Sequence, residues 1–267
     1  MKMISLLFLF SLFFSTPQEE NLSKNWKVIK IVKKKAELIS TDRLGNFYLI
    51  SANHIWMYNN KGDSLAAFNS RKYGEISHVD TTDPYKILVF FKDYGLILFL
   101  DNYLSENGEV IDLQKLGYDQ VTMACQSRES GIWVYDQLKQ KAFHLNDDFK
   151  QIHETVNLSQ WFQRRIMPSG MIEFNNRLYI NEKESGIYVF DHFATYLKRI
   201  AIEGVDQIQL LENRINYVKN NTFCEYNIKS FYTDCKQLPK KDVIDARVEK
   251  NRFYLMSKNF SIIYQTN

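Results

Sequence analysis

The residues able to do acid–base or metal chemistry are scattered along the chain. Five histidines stand at positions 54, 78, 144, 153 and 192, and none falls at a metal-ligand spacing. The carboxylates Asp80, Asp83, Glu173, Asp206 and Asp245 would make a metal or acid–base site only if several strands converged. The simpler reading makes them turn and surface acids. Gly-x-Ser-x-Gly, P-loop and dinucleotide fingerprints are absent from the sequence. No catalytic residue, cofactor or metal ligand is therefore assigned. Three thiols remain: Cys125, Cys224 and Cys235. Cys224 and Cys235 are eleven apart and flank a turn-like centre at residues 227–233, which sets them opposite each other on one hairpin. In an oxidising compartment a disulfide and two free thiols are both open for this pair. Cys125 lies in an apolar alternation and reads as a buried thiol.

The densest recognition chemistry lies in residues 157–170. Trp161, Phe162, Arg164 and Arg165 are the residue types that dominate binding interfaces. A large aromatic supplies contact area at low entropy cost, and an arginine supplies a bidentate donor. Two readings stand side by side. The segment is a partner-binding site, or Trp161 and Phe162 fold back on a blade edge as a short capping helix. Lys33, Lys34 and Lys35, near Lys27 and Lys30, read as a solvated strand end that blocks edge pairing.

These residues must be positioned by short strands. Runs of four to seven residues rich in Tyr, Phe, Ile, Val and Leu alternate with polar clusters, and sustained helical periodicity is lacking. One unit recurs six times: an apolar strand ending in an aromatic and then a short polar residue. Its ends fall at 59, 100, 136, 191, 227 and 265, so the intervals are 41, 36, 55, 36 and 38 residues. A second apolar strand precedes each, as at residues 46–51, 86–91, 177–181, 214–218 and 252–256, and less clearly at 121–126. A period near 38 residues with about four strands is the size of a propeller blade. The long interval places about 17 extra residues between blades three and four, where residues 157–170 lie. The last unit lacks a fourth strand, and residues 26–32 supply a spare one at the other end. The expectation is an all-β, six-bladed β-propeller of about 24 strands, closed by that N-terminal strand completing the last blade. The aromatic content, 15%, then fills the interfaces between radial sheets.

Composition bounds the function. Lys plus Arg exceed Asp plus Glu by 3, which leaves no strong nucleic-acid footprint. Residues 1–16 read as a signal peptide: Lys2 gives the positive start and residues 4–14 the apolar stretch, too short for a bilayer span. Residues 17–267 then form one exported propeller domain with no membrane span after signal removal, in the periplasm or at the outer membrane.

Blade one carries a family resemblance. Its Thr41-Asp42-Arg43-Leu44-Gly45-Asn46-Phe47-Tyr48, Ile55-Trp56-Met57-Tyr58-Asn59 and Lys61-Gly62-Asp63 resemble repeats of six-bladed propellers of the NHL and TolB-like type. Size, export signal and architecture are also similar to those of small accessory propellers of outer-membrane assembly and secretion machines. The periplasmic plug subunit of the type IX secretion translocon is one. These resemblances imply a non-catalytic module that docks on or plugs an envelope complex through a protein partner. The alternative is a channel-based enzyme or small-ligand binder, such as a metal-dependent lactonase or a glycan lyase.

Overall fold

The computed structural model describes residues 26–266. The signal-peptide reading of residues 1–16 lies outside them. Among the described residues there are 24 strands in six four-stranded antiparallel sheets. The first strand, β1 (Lys27–Val32), is the outer strand of the last blade. Blade one is β2 (Leu38–Thr41), β3 (Phe47–Ser51), β4 (His54–Tyr58) and β5 (Ser64–Asn69). Blade two is β6 (His78–Asp80), β7 (Ile87–Phe91), β8 (Leu96–Leu100) and β9 (Ile111–Asp112). Blade three is β10 (Val121–Gln126), β11 (Ile132–Asp136), β12 (Lys141–Leu145) and β13 (Gln151–Glu154). A one-turn helix, α1 (Leu158–Trp161), precedes blade four: β14 (Gly170–Phe174), β15 (Arg177–Glu182), β16 (Gly186–Asp191) and β17 (Tyr196–Ile200). Blade five is β18 (Ile208–Leu211), β19 (Arg214–Lys219), β20 (Thr222–Asn227) and β21 (Thr233–Gln237). Blade six is β22 (Val243–Glu249), β23 (Arg252–Ser257) and β24 (Ser261–Gln265), completed by β1. Lys27 faces Gln265 and Val32 faces Ser261, so the expected closure by the N-terminal strand is present. Closure removes a free edge from β24 and ties the first described strand to the last.

The core consists of six apolar clusters, one per blade–blade interface. Strand alternation builds them. In β3, Phe47 and Leu49 face blade six while Tyr48 and Ile50 face blade two. Outside blade five the middle strands are largely buried on both faces, and all five residues of β7 are buried. That is why they read as unbroken apolar runs rather than alternations.

The polar residue after each apolar run closes a turn. Asn59, Asp101, Asn146 and Asp191 each accept two backbone amides with one side-chain oxygen, from the residues two and four positions on. Asp42 does the same for Leu44 and Asn46 and also accepts the Tyr48 hydroxyl.

The register of blade three corrects the sequence reading. The run ending at Asp136 is the second strand of its blade, and the third is β12. Asp136 also closes a turn, accepting the amides of Leu138 and Lys139, so it carries the same local signature one strand early. Third strands therefore end at Leu100, Leu145 and Asp191, and the intervals of 36 and 55 become 45 and 46. The surplus is divided. Part lies between β8 and β9, at residues 101–110. The rest lies in the connection 155–169, which has 15 residues where the other links between blades have five to eight.

Strand alternation sorts the connections by face. Turns joining first to second and third to fourth strands lie on one face of the disc. Turns joining second to third strands, and the links between blades, lie on the other.

Candidate functional site

The axial channel contains a cavity of about 200 Å³ lined by inner strands, including β2, β6, β14 and β18. Asp80, Glu173 and Asp245 lie on the inner strands β6, β14 and β22, but each has its own partners. Asp80 accepts the amides of Thr82 at 2.9 Å and Gln126 at 2.8 Å, locking blade two to blade three. Glu173 accepts the Trp133 indole N–H at 2.6 Å and the Arg128 amide at 3.3 Å. Asp245 sits 2.6 Å from the Arg247 guanidinium. Burial raises the Asp245 carboxyl above the ordinary range while Arg247 opposes the rise. Arg247 also donates to the carbonyls of Ile39 and Ile208, so it joins blades six, one and five. Asp83 is half-buried and Asp206 exposed, and they pair with Arg43 and Lys183. Among the described residues, no group of three or more His, Cys, Asp or Glu is placed to hold a metal ion. Asp80 and Glu173 act as cross-blade ties, and Asp245 orients the arginine that makes the third.

The histidines are equally dispersed. His78 lies on β6 at the channel, and burial holds its pKa below the ordinary value against the pull of Asp80. His54 stacks on Trp56, and His144 stacks on Trp133 with ring centroids 4.4 Å apart. His153 packs edge-on to Phe193, and His192 contacts the same ring.

Residues 155–169 form the built feature of the opposite kind. Asn157 caps α1 by accepting the Gln160 amide at 3.0 Å, and buried Leu158 pins the turn to the core. The four residues singled out in the sequence then divide. Phe162 packs on Tyr188 and Tyr196, with centroids 4.4 and 5.2 Å away. Arg164 reaches Glu182 at 2.7 Å, and that carboxylate is 4% exposed. The Ile166 carbonyl accepts from Tyr135, Gln137 and Gln140, which ties down the end of the segment. Trp161 is 58% exposed, with Tyr196 6.5 Å away, and Arg165 is exposed beside it. The capping reading therefore holds for Phe162, and Trp161 and Arg165 remain at the surface.

Two residues escaped the sequence reading. Leu138, exposed on the second turn of blade three, lines a shallow depression with Gln160, Gln163, Arg164 and Arg165. Met167 is exposed at the end of the same segment. Leu138 is a lone apolar residue in a polar turn, a weak but readable signal, whereas Met167 is masked by its apolar neighbours Ile166 and Pro168.

Cys224 and Cys235 lie directly opposite on β20 and β21, and the structure joins them in a disulfide with Cα atoms 4.1 Å apart. Cys125 is buried in the blade three–four interface, where desolvation pushes its thiol pKa well up.

No family model matches this chain, and no curated protein matches it. Solved structures do. The Pan2 WD40 domain of Neurospora crassa aligns over 91% of this chain and 96% of its own, with a TM-score of 0.62 and 8% identity. Virginiamycin B lyase of Staphylococcus aureus aligns over 91% and 99%, with a TM-score of 0.61 and 10% identity. BamB of Moraxella catarrhalis aligns over 91% and 98%, with a TM-score of 0.51 and 10% identity. At this identity the likeness shows the fold alone. The chain is a six-bladed β-propeller by its own strand order, and its neighbours span unrelated roles.

Proposed function

We propose that this protein is a non-catalytic docking module of the cell envelope, presenting the segment around Trp161 and Arg165 to a protein partner. The observation that carries the reading is the division of that segment. Phe162, Arg164 and Ile166 hold it in one conformation, while Trp161 and Arg165 face solvent. The ordered backbone and the two-torsion indole of Trp161 lose little entropy on binding, and Arg165 offers a guanidinium with no carboxylate partner among the described residues. Leu138 and Met167 extend the apolar area. The envelope location rests on residues 1–16 as an export signal. An accessory or plug role on a secretion complex, such as the type IX translocon, is the form of this function that size and architecture favour. A channel-based lactonase or lyase is less well supported, because the buried channel carboxylates are already engaged by backbone amides, Trp133 and Arg247.

The test is capture from envelope extract with the wild-type protein and the Trp161→Ala/Arg165→Ala variant. The expected result is a partner recovered by the wild type and lost by the variant. Recovery of every partner by both proteins would overturn the reading.

A further inference from the structure

The turns joining third to fourth strands follow one rule in four blades and break it in the fifth. In blades one to four the closing pair is separated by four residues: Asn59 with Asp63, Asp101 with Ser105, Asn146 with Lys150, and Asp191 with Thr195. The residue before the last is left-handed: Gly62, Leu104, Phe149 and Ala194. Where that residue has a side chain, it points into the core. Leu104 and Ala194 are buried, and Phe149 packs against the blade two–three cluster. Blade five has one residue more, with Asn227 closing on Tyr232. Ile228 takes the place against the core, and the left-handed residue, Phe231, swings out. Phe231 is 66% exposed and Tyr232 68% exposed.

Neither packing nor conformation accounts for a phenylalanine there. A φ of +60° disfavours any Cβ, and solvent disfavours the ring. Its neighbour is a cation: Lys198 Nζ lies 5.2 Å from the ring centroid. Lys198 and Lys229 have no carboxylate partner among the described residues, while Asp234 is held by Lys236 and Glu225 by Arg214. The turn joins β20 to β21, the outer edge strand of blade five. All five residues of β21 are exposed, and the disulfide from Cys224 to Cys235 ties this strand to β20. Two other exposed aromatics, Tyr103 and Phe193, occupy the tips of equivalent turns in blades two and four, on the same face. That face is opposite the one bearing Trp161.

These side chains form convex tips. A protein partner would need a matching cavity for each, whereas a lipid surface yields to them. Aromatic rings and flanking lysines are the pair that settles at a bilayer–water boundary, and the unpaired lysines select anionic headgroups. We propose that this face docks on an anionic lipid bilayer through the Phe231–Tyr232 tip, with Lys198 and Lys229 meeting the headgroups.

The experiment is co-sedimentation of the full chain with vesicles of phosphatidylcholine, with and without phosphatidylglycerol. Phe231→Gly/Tyr232→Ser removes the tip and relieves the left-handed strain, so the fold is retained, which a thermal melt checks. Lys198→Gln/Lys229→Gln removes the two cations. Any vesicle binding contributed by residues 1–16 is common to all three proteins. The wild type is expected to sediment with the anionic vesicles in preference to the neutral ones. The aromatic variant should lose about tenfold or more in partitioning. The lysine variant should lose about thirtyfold. Equal sedimentation with both vesicle types, wild-type partitioning by either variant, or no sedimentation at all would overturn the proposal.

Discussion

Arg164→Ala is expected to destabilise the protein by about 2 kcal/mol, although the residue lies at the surface end of a loop. The magnitude follows from its partner. Glu182 is 4% exposed and lies 2.7 Å from the guanidinium, so removing the cation leaves a buried carboxylate without its counter-charge. Breaking a fully buried pair costs about 3–5 kcal/mol. Two features reduce that here. Arg164 is itself 35% exposed, so solvent screens the pair, and Glu182 keeps its bonds from the Ser185 amide and hydroxyl. Trp161→Ala, three residues away, should change stability by less than about 0.5 kcal/mol, because the side chain is mostly in water. Urea unfolding of both variants measures the contrast, and in a melt the Arg164 variant should fall by roughly 4–8 °C. An Arg164→Ala variant as stable as wild type would refute the anchoring role. A Trp161→Ala loss equal to that of Arg164→Ala would show that Trp161 is part of the packing.

Other consequences are as direct. Burial holds the pKa of His144 and of His78 below the ordinary 6.5, so below that pH the unfolded chain binds more protons. Stability should be fully present above 6.5 and fall as the pH drops toward the lowered values. His144→Phe keeps a ring against Trp133 and should flatten that fall; an unchanged slope in urea titrations would contradict it. Gly186 has a φ of +92°, and an added Cβ would run into the Ile200 carbonyl, so Gly186→Ala should cost about 2 kcal/mol or more. Gly108→Ala, at φ +90° with open space around it, should cost about 1 kcal/mol, and equal losses would remove the steric part of the argument. The bridge between Cys224 and Cys235 should leave one thiol, Cys125, titratable in denatured, non-reduced protein. Three free thiols would show that it does not form.

The propeller was legible because its rules are local. The middle strands of most blades are buried on both sides, so apolar runs such as residues 87–91 stand out unaided. An Asn or Asp closes the following turn, so the run and its last residue recur together. The phase of blade three was not legible, because Asp136 closes a turn after the second strand with the same chemistry that Asn146 uses after the third. That one ambiguity made the interval between the third strands of blades three and four read as 55 residues instead of 46, and so doubled the apparent surplus there. Inner strands were faint for another reason. Ser40, Thr41, Asp80 and Gln209 face the channel and spend their polar groups on neighbouring blades. The insertion's residue types were visible, but their division was not. Trp161 and Phe162 are consecutive, and only the turn of α1 sends one outward and the other onto Tyr188. The extended turn at Phe231 hides in a difference of one residue, which matters only when five blades are aligned by their hydrogen bonds.

Docking through the face that bears Trp161 requires that this side chain touch a partner. A photo-crosslinking residue in place of Trp161, with a second protein carrying it in place of exposed Ile152 on β13, tests that contact in intact envelopes. One discrete protein adduct is expected from position 161 and none from position 152. No adduct at 161, or the same adducts from both positions, would contradict it.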